Sequence, residues 1–155
     1  MALRLGDLKI TSSSFVQLGR IPRRNAGDGE NISPPLEWSG APKATREFAL
    51  LCHDPDAPLV RGFAHWVLYG ILSSKTKLAE GEKAHAFVAG VNGAGKPGYI
   101  GPYPPSGHGV HHYYFWIYAL DGNLGLKPGL NLEQLLDSIG GHVLEQARLV
   151  GTYER

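Results

Sequence analysis

Three short stretches of this chain gather side chains that bind anions or move protons. Asp54 and Asp56 stand in DPDAP (54–58), His65 opens the apolar run of AHWVLYGI (64–71), and His111, His112 and Tyr113 precede an aromatic run ending at residue 120. Imidazoles donate hydrogen bonds and change charge near neutral pH, while a neighbouring carboxylate fixes their tautomer and favours the charged form. The glycine-flanked PPSGHG loop (104–109) adds exposed backbone N–H groups, which suit an anion. A phosphate or similar oxyanion is the ligand this combination fits. Any one of these residues could instead be a satisfied turn group, an Asp accepting hydrogen bonds within its own turn; taken together, the set argues for a site.

Other chemistries fit less well. Two His and two Asp are ligand types that suit zinc, but no sequence-local pair such as H-x-x-x-H supports a metal. A hydrolase would have an acid and a base but no recognisable nucleophile, because G-x-S-x-G is missing and Cys52, the one cysteine, lies in the apolar FALLC (48–52) and reads as a buried thiol. No catalytic residue, metal or cofactor is therefore assigned. GVNGAGK (90–96) starts like a phosphate loop, yet Pro97 stands where a hydroxyl residue would hold magnesium and Gly98 where a helix should begin. Asn31-Ile32-Ser33 reads as turn structure, and Arg20, Arg23 and Arg24 as a solvated basic loop.

The positioning elements are mostly strands. LKITS (8–12), FALLC, AHWVLYGI, the AFVAGV patch (86–91) and YYFWIYAL (113–120) carry apolar, branched and aromatic residues bounded by turn residues. The segment 19–42 reads as turn-rich throughout, a long ordered surface excursion, and 81–109 as a long glycine- and proline-rich loop that needs a functional reason. NLEQLLDSI (131–139) has helical spacing with Asn131 as N-cap, and HVLEQARLV (142–150) reads as a second short helix leading into a final strand. Alternation puts His111, Tyr113, Phe115 and Ile117 on one face of their strand and His112, Tyr114, Trp116 and Tyr118 on the other. The same rule places His65 with Val67 and Tyr69, opposite Trp66 and Leu68. If the two strands are neighbours, His65 and His111 converge at one rim. Strands first and a little helix late predict a mostly β fold, a β-sandwich with a few short peripheral helices near the C-terminus.

At 155 residues and 43% hydrophobic content, with 21 glycines and 11 prolines, one domain over residues 1–155 is expected. A formal net charge of +1 with no basic stripe argues against nucleic acid as a partner. MALRLGDLKI lacks the apolar core of a signal peptide and no run is long enough to cross a bilayer, so a cytoplasmic location without a transmembrane segment is expected.

NISPPLEWSG (31–40), DPDAP, His65-Trp66 and GPYPPSGHGVHHY (101–113) occur in this order, and with the ending VGTYER they resemble the phosphatidylethanolamine-binding protein family, also called Raf kinase inhibitor proteins, in its bacterial and archaeal branch. The resemblance covers nearly the whole chain. It implies a β-sandwich with a Greek-key-like large sheet and a small anion cavity at one end. Carried over by position, Asp54 and Asp56 become the cavity's acidic turn, His65 its first histidine, Pro105 a wall, His111 the second histidine and Tyr113 the adjoining phenol. The resemblance implies a non-enzymatic binding or regulatory protein for a phospholipid headgroup or phosphorylated ligand. It also implies kinase or protease partners met through surface loops, and a homodimer. Two positions depart from the family pattern: His112 stands where arginine is usual, and Tyr103 where bacterial relatives often carry a small residue or cysteine, which would narrow the cavity mouth.

Overall fold

A computed structural model describes residues 4–83 and 87–155. Among the described residues eight strands form two antiparallel sheets. The smaller contains β1 (Lys9–Thr11), β2 (Leu36–Ser39) and β5 (Lys77–Leu78) in the order β1-β2-β5. The larger contains β3 (Glu47–Asp54), β4 (Phe63–Leu72), β6 (Val88–Ala89), β7 (His111–Leu120) and β8 (Val143–Tyr153) in the order β6-β4-β3-β7-β8. Within it β3, β4 and β6 are successive neighbours and β7 returns beside β3, which is Greek-key order. The fold is the expected mostly β class.

β3 is central and apolar because both of its faces are covered. Phe48, Leu50 and Cys52 pack with Ile10, Leu36 and Trp38 of the smaller sheet and with Phe115 and Ile117 of β7. Ala49 and Leu51 pack on the opposite face with Tyr118 and with Leu135 and Ile139 of α1 (Leu132–Ile139). Each large side chain buried in this way contributes about 1.5–3 kcal/mol. The helix begins where its cap demands: the Asn131 side chain accepts the Gln134 N–H at 2.9 Å while the Gln134 side chain accepts the Asn131 N–H at 3.0 Å.

Three expectations are corrected. Residues 142–150 are not a second helix, so α1 is the one α-helix among the described residues; His142 ends a turn and 143–150 belong to β8, which pairs with β7 from His111↔Tyr153 to Leu120↔Val143. Leu, Glu, Gln, Ala and Arg favour helix weakly, whereas ten paired positions along β7 satisfy backbone groups that would otherwise be buried without partners. The outer edge of β8 is covered as well: the Arg4 carbonyl accepts the Gln146 N–H, Leu18 donates to Val150, and Thr152 donates to Gly19. The segment 19–42 is not turn throughout and not a surface excursion, since it contains β2 and buries Ile21, Asn25, Ala26 and Trp38. In the 86–91 patch, strand structure covers Val88–Ala89, and Ala86 lies outside the described residues. Among the described residues no helix is long and apolar enough to cross a membrane.

Candidate functional site

The strands carrying His65 and His111 are not neighbours, as β3 lies between them and its C-terminal residue, Asp54, enters the gap. Simple alternation also misplaces His65. Cys52 pairs with Trp66 but His53 pairs with Ala64, so His65 is an extra residue on β4, a bulge without a partner on β3. A bulge resets the alternation. His65 thereby turns to the side of Trp66 rather than that of Val67, with its ring 5.1 Å from that of Tyr113 and 4.9 Å from that of Phe63. β7 runs without interruption at its start, so His111 and Tyr113 share the core-facing side as alternation requires.

These side chains surround a cavity of about 330 Å³. Asp54, His65, Pro105, His111 and Tyr113 line it, joined by Phe63, Tyr103 and Ile100. Asp56 does not. Its carboxylate instead holds the backbone N–H and ring Nδ1 of His112, at 2.8 and 2.7 Å, on the outside of the rim. His112 thus takes up the acidic partner that the departure from arginine put in question. A larger cleft of about 670 Å³ lies elsewhere, lined in part by Trp66, Tyr99, Glu80 and Glu82. Glu80 is paired there with Arg24 and Glu82 with Lys75, and Glu30 and Lys83 also line that cleft, so it mixes carboxylates with a cation and, among the described residues, holds no histidine. Among the described residues no three His, Cys, Asp or Glu side chains converge as metal ligands do.

The hydrogen bonds assign the tautomers. Ring Nδ1 of His65 donates to the Ile100 carbonyl at 2.6 Å, while the Ile100 N–H donates back to the His65 carbonyl. Burial pushes the His65 imidazole below its ordinary pKa, and the Ile100 bond only partly opposes this. His65 is then neutral, with Nε2 an acceptor. Asp54 is buried, 2% exposed; one carboxylate oxygen accepts the Asp56 N–H at 2.8 Å and the other accepts His111 Nδ1–H at 2.7 Å. Burial, with the Asp54 charge second, pushes the Tyr113 phenol up, so it stays protonated, and its buried hydroxyl meets no partner of hydrogen-bond geometry. Burial likewise pushes the Cys52 thiol well above its ordinary value, which leaves it inert.

At the mouth, Tyr103 is 57% exposed and leans outward. The Arg155 guanidinium lies 3.8 Å from the centre of its ring, and Arg155 Nε–H donates to the Pro104 carbonyl at 2.7 Å. Sequence reasoning missed Arg155, Ile100 and His108. His108 has a local signal: it stands three residues before His111 at the point where loop becomes strand, and its ring Nδ1 lies 2.6 Å from His111 Nε2.

Comparison with known proteins agrees with this architecture. The family model described as phosphatidylethanolamine-binding protein matches residues 11–154. A UPF0098 protein of Methanothermobacter thermautotrophicus is 45% identical over 153 residues, spanning 96% of this chain and 99% of that one. The crystal structure of the Chlamydia trachomatis phosphatidylethanolamine-binding protein homolog CT736 superposes with a TM-score of 0.89 at 38% identity, covering 96% of this chain and 97% of the other. Escherichia coli YbcL, described as a member of the mammalian PEBP family, superposes with a TM-score of 0.91 at 26% identity over 97% and 99% of the two chains.

Proposed function

The chain belongs to the phosphatidylethanolamine-binding protein family, which supports a binding role in general, and from that premise we propose that its cavity takes a phosphate-type group, free or esterified as in a phospholipid headgroup or a phosphorylated ligand. The carrying observation is the Asp54–His111 pair at 2.7 Å, buried beside His65 in a cavity of about 330 Å³. Asp54 accepts from His111 Nδ1–H and so fixes the orientation of an imidazole inside a mostly apolar wall. Neutral His65, on the other flank, offers Nε2 to a P–OH hydrogen, which suits a partly protonated phosphate. Exposed Leu59 and Tyr103 line the cavity and give the rest of an esterified ligand an apolar seat. The reading is one of binding rather than turnover: the cysteine is buried and inert, and among the described residues no serine or threonine hydroxyl and no thiol hydrogen-bonds to the Asp54–His111 pair.

Isothermal titration with inorganic phosphate, phosphoethanolamine and phosphotyrosine, near pH 6 and near pH 8, tests the reading beside His111→Ala. Binding should weaken toward pH 8 and be lost in the variant while its fold persists. Failure of every phosphate compound to bind the wild-type protein, or equal affinity in His111→Ala, would refute it.

A further inference from the structure

His111 has no donor to spare. Its Nδ1 is engaged by Asp54 at 2.7 Å and its Nε2 by His108 Nδ1 at 2.6 Å, the two rings meeting edge to face with centres 4.9 Å apart. A contact of this length holds one hydrogen, so one of the facing nitrogens donates and the other accepts. We propose that His108 is a second imidazole donor of the anion site, beside His111: a phosphate-type oxyanion enters between the rings and replaces the N···N contact with one N–H···O bond from each. This rests on the anion reading of the cavity given above.

Before binding, Asp54 accepts from His111 Nδ1–H and a single hydrogen lies between the rings. With an oxyanion inserted, both facing nitrogens are donors, His111 through Nε2–H and His108 through its Nδ1–H tautomer. Asp54 touches His111, Asp56 lies within reach of its charge, the Tyr113 ring stacks at 6.5 Å with its phenol protonated, and His65 is held neutral by burial. Asp56 is itself tied to the His112 ring outside the rim, and His111 is the one side-chain partner of His108 among the described residues.

The loop can open. His108 is exposed and sits between Gly107 and Gly109, both at positive φ (75° and 95°), where an added side chain would meet nothing within 4 Å. One backbone bond, His108 N–H to the Pro105 carbonyl at 3.1 Å, ties the residue to the loop. Replacing one N···N contact by two N–H···O bonds of ordinary length asks the rings to part by on the order of 2 Å.

The test uses the full chain and inorganic phosphate, titrated calorimetrically at pH 7.5, with wild type, His108→Ala, His108→Gln and His111→Ala. His108→Ala should weaken binding roughly 10- to 150-fold, the loss of one charge-assisted hydrogen bond. His108→Gln, which keeps one side-chain donor, should recover part of that loss. Thermal melting controls for folding: it is expected unchanged in the two variants at exposed His108, and in His111→Ala it need only show a folded protein at the titration temperature. Phosphate affinity in His108→Ala equal to or tighter than wild type would overturn the proposal and leave His108 a mere plug, while the anion reading stands if His111→Ala still loses binding. No phosphate binding by the wild-type protein would overturn both.

Discussion

Replacing Asp54 by Asn isolates the contact on which the cavity depends. The change is nearly isosteric, and it strikes a carboxylate that is 2% exposed and uses both oxygens, one for the Asp56 N–H and one for His111 Nδ1–H. Asn retains one oxygen. If that oxygen keeps the Asp56 amide, the new NH2 group points at His111 Nδ1–H and two donors face each other in the interior. The lost hydrogen bond to a charged group contributes about 1.5–3 kcal/mol, and a buried donor left unmatched costs about 1–3 kcal/mol; tautomer exchange of the His111 ring relieves part of the second. A destabilisation of about 2–4 kcal/mol is expected, or a fall in Tm of roughly 5–15 °C for a chain of this size. The sharper measurement is a double-mutant cycle with His111→Phe, by urea unfolding at pH 7 followed through the tryptophan fluorescence. Once the imidazole is gone the carboxylate is a buried charge without its partner, so Asp54→Asn should then cost little or even stabilise, giving a coupling energy of about 1.5–3 kcal/mol. Additivity within about 0.5 kcal/mol would refute the claim that Asp54 and His111 act as a pair.

Two further outcomes are expected. Because burial holds His65 below its ordinary pKa, the unfolded chain binds more protons than the folded one below about pH 6.5. Stability contributed by neutral His65 is therefore complete above that pH, falls as the pH drops toward the folded pKa, and levels off below it, at no more than about 1.4 kcal/mol per pH unit. Urea unfolding at pH 7.5, 6.5 and 5.5 should show a shallower acid loss in His65→Gln, and identical slopes in the two proteins would discard the assignment. Asn131→Ala removes the acceptor for the Gln134 N–H and should cost about 1 kcal/mol, read by chemical denaturation and by faster amide exchange in α1; an unchanged midpoint would show that packing on Leu135 and Ile139 alone holds the helix.

The residues themselves determined whatever depends on near neighbours in the chain. Alternation along HHYYFWIYAL sorted β7 correctly from its first residue, the Asn131–Gln134 pair announced the start of α1, and DPDAP announced a turn that ends a strand, because a strand period, a cap and a turn are each decided within a few residues. Most of the cavity wall was legible for the same reason: Asp54, His65, His111 and Tyr113 stand at or near the ends of readable strands, whereas Pro105, in the loop before β7, was implied only by the family resemblance. Tertiary structure decided the rest. β8 is a strand despite a helix-tolerant composition because β7 offers it a full backbone ladder, and β2 forms inside a turn-rich segment because β1 and β5 pair with its two sides. The insertion of β3 between β4 and β7 and the contact of His108 with His111 both depend on which strands meet, and pairing across long sequence separations leaves no periodic trace. The side to which His65 turns hangs on a single unpaired residue, visible only in the register between β3 and β4, because in a sheet of period two one extra residue reverses every face assignment beyond it.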